Sequence, residues 1–367
     1  MDLAPALARY GHALGRWQAA WRFASPELRR AVALGQISAA WDVFRRDAGP
    51  GDVGPAYAPS IASTSLLSTG DPRRDGLLLW LADQGAPAVA DAAGLLARAV
   101  GANRRLGSDD CDLLDVARDA LREPAAMRGP IARALQGVAG PDSAVGEGLL
   151  VLAGVVDRLR GDPAFLEGGG VETRHTLPGG TLRHFVPAAP GAAWALNLAL
   201  LGRAAVPLGL PACPGLISRR LFRDAKPEEL AVALVSDAAA ALEAGYALFA
   251  WIEPELVRGT AALTELSRNA RARLAWPLVV GLGGISRSQL ARALGLSRAG
   301  ADIQAHALAD AGLVALGSAG RIEWVQCQST YGASQAMEGD DLSGALADFD
   351  AGMAEVDRLL ARTPSSH

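Results

Sequence analysis

The sequence predicts a mainly α protein: a multi-helix body with one small β-hairpin, then a C-terminal helical pair with its own hairpin, then a terminal amphipathic helix. Three observations carry that reading. Apolar residues recur at helical spacing through most of the chain, and Gly and Pro break them at short intervals. Hydrophobic residues make up 50% of the 367 positions and charged residues 20%, ample for a packed core. Two stretches, 171–186 and 313–325, instead show the strand-and-turn pattern of hairpins.

Residues 2–47 read as helical throughout. Leu7, Tyr10, Leu14, Trp17 and Trp21 alternate spacings of three and four, so one face is apolar. Pro26 follows Ser25 at a helix start. The Gly- and Pro-rich run 49–60 reads as a linker or exposed loop. Further helices are expected at 74–83, 87–100, 109–122, 130–138 and 145–159, which completes a helical N-terminal domain at 1–160. Asp109, Asp110 and Asp112 suit the positive end of a helix dipole. Residues 161–190 form the hairpin and linker, with strands 171–176 and 181–186 around Leu177-Pro178-Gly179-Gly180. A second helical part spans 191–265. Its apolar run 191–217 is broken by Arg203, Pro207 and Pro211, so it reads as buried helix, turn, helix. A membrane span needs about 20 uninterrupted apolar residues. Pro277 is expected to open a new helix, 277–282, at its first position.

The run GLGGISRSQLARALGLSRAGADIQAHALADAGLVALGSAGRIEWV, residues 281–325, is the most specific in the chain. Ser286 and Gln289 have capping-box spacing, where each side chain can satisfy the other's backbone N–H. The helix that follows runs to Leu294, and Gly295 can end it in the left-handed conformation. Ser297 can cap a second helix, 298–311, whose Ala301 and Leu308 share an inward face, and Gly312 ends it. A strand at 313–316, a turn at 317–320 and a strand at 321–325 complete the segment.

This order of cap, turn, cap, terminator and hairpin resembles the winged helix-turn-helix of bacterial regulators, here at 266–326. The resemblance implies a second helix, 297–311, in the major groove of duplex DNA, with a wing at 313–325. It assigns groove contacts to Ser297, Arg298, Ala299, Asp302 and His306. Ser286, Arg287 and Ser288 would hold phosphates at the first helix's start, and Arg321 would reach the backbone or minor groove from the wing. Residues 266–325 carry seven Arg (Arg268, Arg271, Arg273, Arg287, Arg292, Arg298, Arg321) against Asp302, Asp310 and Glu323, a local charge of +4 in a chain of net charge −4. A nucleic-acid surface must therefore be local. The same pattern would also serve a helical hairpin used only for packing or protein contact.

A helical body ahead of such a segment is also similar to Fic-related bacterial proteins, in particular a rhizobial helix-turn-helix family related to them. RARLAWPLVV at 271–280 carries part of that similarity. The Fic AMP-transfer motif, His-Pro-Phe with a following Gly-Asn-Gly-Arg run, is absent, since His184 leads into Phe185-Val186-Pro187. AMP transfer is therefore not implied.

No other motif assigns chemistry. Cys111, Cys213 and Cys327 are isolated, without metal-ligand spacing, and with no readable signal peptide they lead to an expected reducing cytoplasm. Glu172, His175 and His184 fix no fourth ligand, so the hairpin reads as surface. Gly281-Leu282-Gly283-Gly284 lacks the Lys of a phosphate loop. No catalytic residue, metal or cofactor is expected. In the tail, Leu342, Leu346, Phe349, Met353, Val356 and Leu360 form a heptad seam on a helix at 340–361, which suits either a homodimer or docking on the chain's own surface. The expected function is a cytoplasmic DNA-binding regulator whose body senses a small-molecule or protein effector, with no membrane partner. The alternatives are a helical scaffold using the winged segment for protein contact, a degenerate Fic-like protein, or an enzyme in the helical body with no readable site.

Overall fold

One helix, α9 (Pro227–Ala262), organises the others. At 36 residues it spans about 54 Å. The computed structural model describes residues 2–48, 66–68, 70–123, 129–139, 144–165, 171–186, 192–222, 226–264 and 271–325. Helix α1 (Leu3–Phe23) lies along α9 and buries Tyr10, Leu14 and Trp17 against it, as the three-and-four spacing predicts. Trp17, Trp21 and Phe249 form an aromatic cluster with ring centroids 5.1 to 5.8 Å apart. Arg9 adds an ion pair with Glu243, and its hydrogen bond holds the Glu243 carboxyl below the usual range. Burial pushes the Tyr10 hydroxyl up to about 12.

Helices α2 (Pro26–Ala48), α3 (Pro72–Gln84), α4 (Pro87–Val100), α5 (Ser108–Arg122), α6 (Pro130–Ala139) and α7 (Ala144–Leu159) start and stop within two residues of the sequence expectation. The helical run expected at 2–47 is interrupted at Ala24 and Ser25, where the Ser25 hydroxyl accepts from the Leu28 N–H and starts α2. Strands β1 (Val171–Leu177) and β2 (Gly180–Val186) pair antiparallel around Pro178-Gly179. His175 stands opposite Leu182 and His184 opposite Thr173, so the two histidines do not oppose each other.

Two expectations need correction. The second helix of 191–217 is a 3-10 turn, 203–208, after α8 (Ala193–Leu200), because Pro207 and the glycines at 202 and 209 leave no room for an α turn. Pro277 does not open a helix; it lies inside α10 (Ala272–Leu282). Its missing N–H costs one bond, to the Arg273 carbonyl, and burial on nearly every side of α10 compensates. Helix α10 packs on α2 and α9 on α1, and one buried core runs from Ala6 to Ile322. Among the described helices α9 alone is long and apolar enough to cross a membrane, yet most of its apolar window is buried inside the protein.

Helices α11 (Arg287–Leu294) and α12 (Arg298–Asp310) complete the described chain, together with a three-stranded sheet in the order β3 (Gly284–Ser286), β5 (Arg321–Trp324), β4 (Val314–Leu316). The heptad residues Leu342, Leu346, Phe349, Met353, Val356 and Leu360 lie outside the described residues, as does Cys327.

Candidate nucleic-acid interface

Helix α11 starts at a complete capping box. The Ser286 hydroxyl accepts from the Gln289 N–H at 3.2 Å, and the Gln289 side-chain oxygen accepts from the Ser286 N–H at 3.0 Å. The Gln289 amide nitrogen also donates to the Leu67 carbonyl at 2.7 Å, which fastens this cap to the body. Gly295, at φ 63°, ends the helix in the left-handed region. The Leu296 N–H then bonds back to the Ala291 carbonyl at 2.8 Å. Leu290 and Ala293 are buried against α4. At the far end the Arg292 Nε donates to the Ala99 carbonyl at 2.8 Å, and the Arg98 Nε donates to the Ala293 carbonyl at 3.3 Å. The first helix is thus held to the body along its length.

Helix α12 is seated differently. Ser297 caps it by accepting from the Gly300 N–H at 3.0 Å. Ala301, Ala305 and Leu308 are fully buried on its inner side. Its outer row, Ala299, Ile303, His306 and Asp310, is exposed, together with Arg298. Ile303 is 64% exposed, and sequence reading did not single it out. The signal was available: it falls at helical spacing from Ala299 and His306, on the side opposite Leu308.

The sheet brings the remaining residues together. Ser286 on β3 pairs directly with Arg321 on β5, so the start of α11 meets the hairpin turn. The Arg287 side chain passes beside Gly320 and pairs with Asp302 of α12 at 3.3 Å. A ring nitrogen of the exposed His306 lies 2.8 Å from the Asp302 carbonyl oxygen. Ser288 is exposed, its hydroxyl 3.0 Å from that of Ser286. Arg298 lies one turn before Asp302 on the same side of α12.

Two of the expected cations are already paired within the protein. Arg287 is paired with Asp302 and Arg321 with Glu323, the latter at 3.1 Å. Exposed pairs of this kind contribute about 0–1 kcal/mol, so a phosphate could displace either. Among the described residues Arg298 is the cation of the two helices that has no protein partner.

The other end of the hairpin is anchored by residues that sequence reading missed. Glu255 of α9, 8% exposed, accepts from the Trp324 indole N–H at 3.2 Å and from Arg258 at 2.6 Å. Arg258 also donates to the Val325 carbonyl at 2.9 Å. The Trp276 indole N–H donates to the Glu255 carbonyl at 3.0 Å, and Trp251 meets Trp324 edge-on at 4.5 Å. These partners lie on α9, α10 and β5, too far apart in sequence for any local pattern to join them. Among the described residues no three His, Cys, Asp or Glu side chains gather as a metal site.

Comparison of this chain with protein-family models, with curated proteins and with solved structures finds no match.

Proposed function

We propose that residues 271–325 form a winged helix-turn-helix that binds duplex DNA, with α12 in the major groove and the β4–β5 hairpin as the wing. The protein would then act as a transcriptional regulator. The observation that carries this reading is the difference in seating of two Ser-capped helices across a left-handed glycine. The first is fixed to the body, and the second keeps an exposed row headed by Arg298, which is unpaired among the described residues. That is the arrangement a recognition helix needs, since its N-terminal residues must reach base edges while the first helix holds it in place. The meeting of Ser286, Ser288 and Arg321 at the start of α11 supports a phosphate contact beside it.

The test is anisotropy titration of labelled random duplexes at several salt concentrations, followed by sequence selection. Binding should weaken as salt rises, with a logarithmic slope of about −0.9 per phosphate engaged. A flat salt response, or no enriched sequence, would refute the reading. Ile303 favours a second reading, a protein partner on the same face, because an apolar side chain 64% exposed beside Ala299 on the outer row of α12 suits a protein contact. Loss of a co-purifying protein on Ile303→Glu, with no duplex binding by the parent protein, would select it.

A further inference from the structure

We propose that the groove between the α1–α2 turn, the C-terminal half of α9 and α10 binds an organic cation with an apolar body. The groove encloses about 700 Å³, within the range of pockets that hold ligands of drug size. Its floor is buried and apolar, with Leu28, Leu256, Trp276 and Pro277 among its residues. Its rim is apolar but exposed: Phe23 at 83%, Val257 at 64% and Leu274 at 40%. Three helices thus converge large hydrophobic side chains on one opening and leave them in water, an arrangement that marks a binding site more than a packing remnant.

The polar groups decide what the site would take. Glu27 and Glu253 line it, and neither carboxylate has a protein partner among the described residues. Among the described lining residues the one cation, Arg273, is committed to the Leu263 and Thr264 carbonyls, each at 3.1 Å. The hydroxyls are used as well. Ser25 accepts from the Leu28 N–H, and Thr260 donates to the Leu256 carbonyl at 2.8 Å. The Trp276 indole N–H is likewise taken, by the Glu255 carbonyl. Gly259 makes room for this ring, since a methyl group there would overlap it. What remains for a ligand is apolar surface and, among the described residues, two carboxylates without counter-ions; the Trp276 ring already faces Arg258 at 5.5 Å and the Phe23 ring faces Arg22 at 5.9 Å. An anion would meet repulsion from the two carboxylates and a neutral body would gain nothing from them; an organic cation with an apolar body uses both features. This assignment does not depend on the reading of α12 as a DNA-binding helix.

The test uses the full chain and two ions of nearly equal shape and opposite charge, tetraphenylphosphonium and tetraphenylborate, in equilibrium dialysis. The cation should bind at least about tenfold more tightly than the anion. Glu27→Gln with Glu253→Gln should weaken the cation by about tenfold and abolish the preference. Val257→Arg should block the cation outright. All three positions are exposed, so the fold should survive, and an unchanged circular-dichroism melting curve checks that it does. Equal affinity for the two ions, or cation binding untouched by these substitutions, would overturn the proposal. So would tight binding of a basic amphipathic peptide that tetraphenylphosphonium cannot displace, which would assign the groove to a protein partner.

Discussion

Helices α11 and α12 begin alike and end up in different roles. Each starts at a serine that accepts from the backbone N–H three residues on, and each buries alanine and leucine on its inner side. Yet α11 is held at both ends, by Gln289 to Leu67 and by Arg292 to Ala99, while the outer row of α12 touches no other element strongly enough to be covered. What a helix can offer a partner depends less on its own sequence than on whether its outer face is already occupied.

The largest expected effect tests the docking of α11. Leu290→Ala empties a fully buried position and should cost about 2–5 kcal/mol in urea denaturation, whereas Ile303→Ala should change stability by less than about 0.5 kcal/mol. Comparable losses at both sites would erase the contrast. Arg298→Ala should weaken duplex binding by about 1–3 kcal/mol and leave the melting temperature unchanged. Unaltered affinity would remove this end of α12 from the interface. Ser286→Ala should cost about 1 kcal/mol, and more than Ser297→Ala, because the bond to the Ser286 hydroxyl is partly buried and the one to the Ser297 hydroxyl is exposed. The reverse order would contradict the capping argument. The smallest effect is Asp302→Asn, which should cost under about 1 kcal/mol of stability. It would also release Arg287, so duplex affinity should rise and its salt dependence steepen. A fall in affinity would instead make Asp302 a direct contact, as the resemblance to regulators implies.

Much of the local architecture was legible beforehand. The Ser286–Gln289 box, the Gly295 terminator, the Ser297 cap and the turn at 178–179 all appear where their residue types require them. Each is a matter of hydrogen bonds or dihedral angles within a few residues, so a short window contains the whole cause. Pro277 misled for the opposite reason. Its preference for a first helical position is local, and it yielded to the burial of α10 against α2 and α9. The anchoring of β5 was out of reach for the same cause, because Glu255 and Trp324 are separated by 69 residues.

Taken alone, the sequence determined the helical class, the ends of most helices, and the order of caps, turns and strands in 281–325. Periodicity and capping are short-range consequences of backbone geometry and need no partner to be read. Only the tertiary structure decided that α11 is held while α12 presents a face, that among the described residues Arg287 is paired and Arg298 is not, and that Phe23, Val257 and Leu274 line one groove with Glu27 and Glu253. Those facts depend on which distant surfaces exclude water from one another, and burial of that kind is set by the whole chain at once.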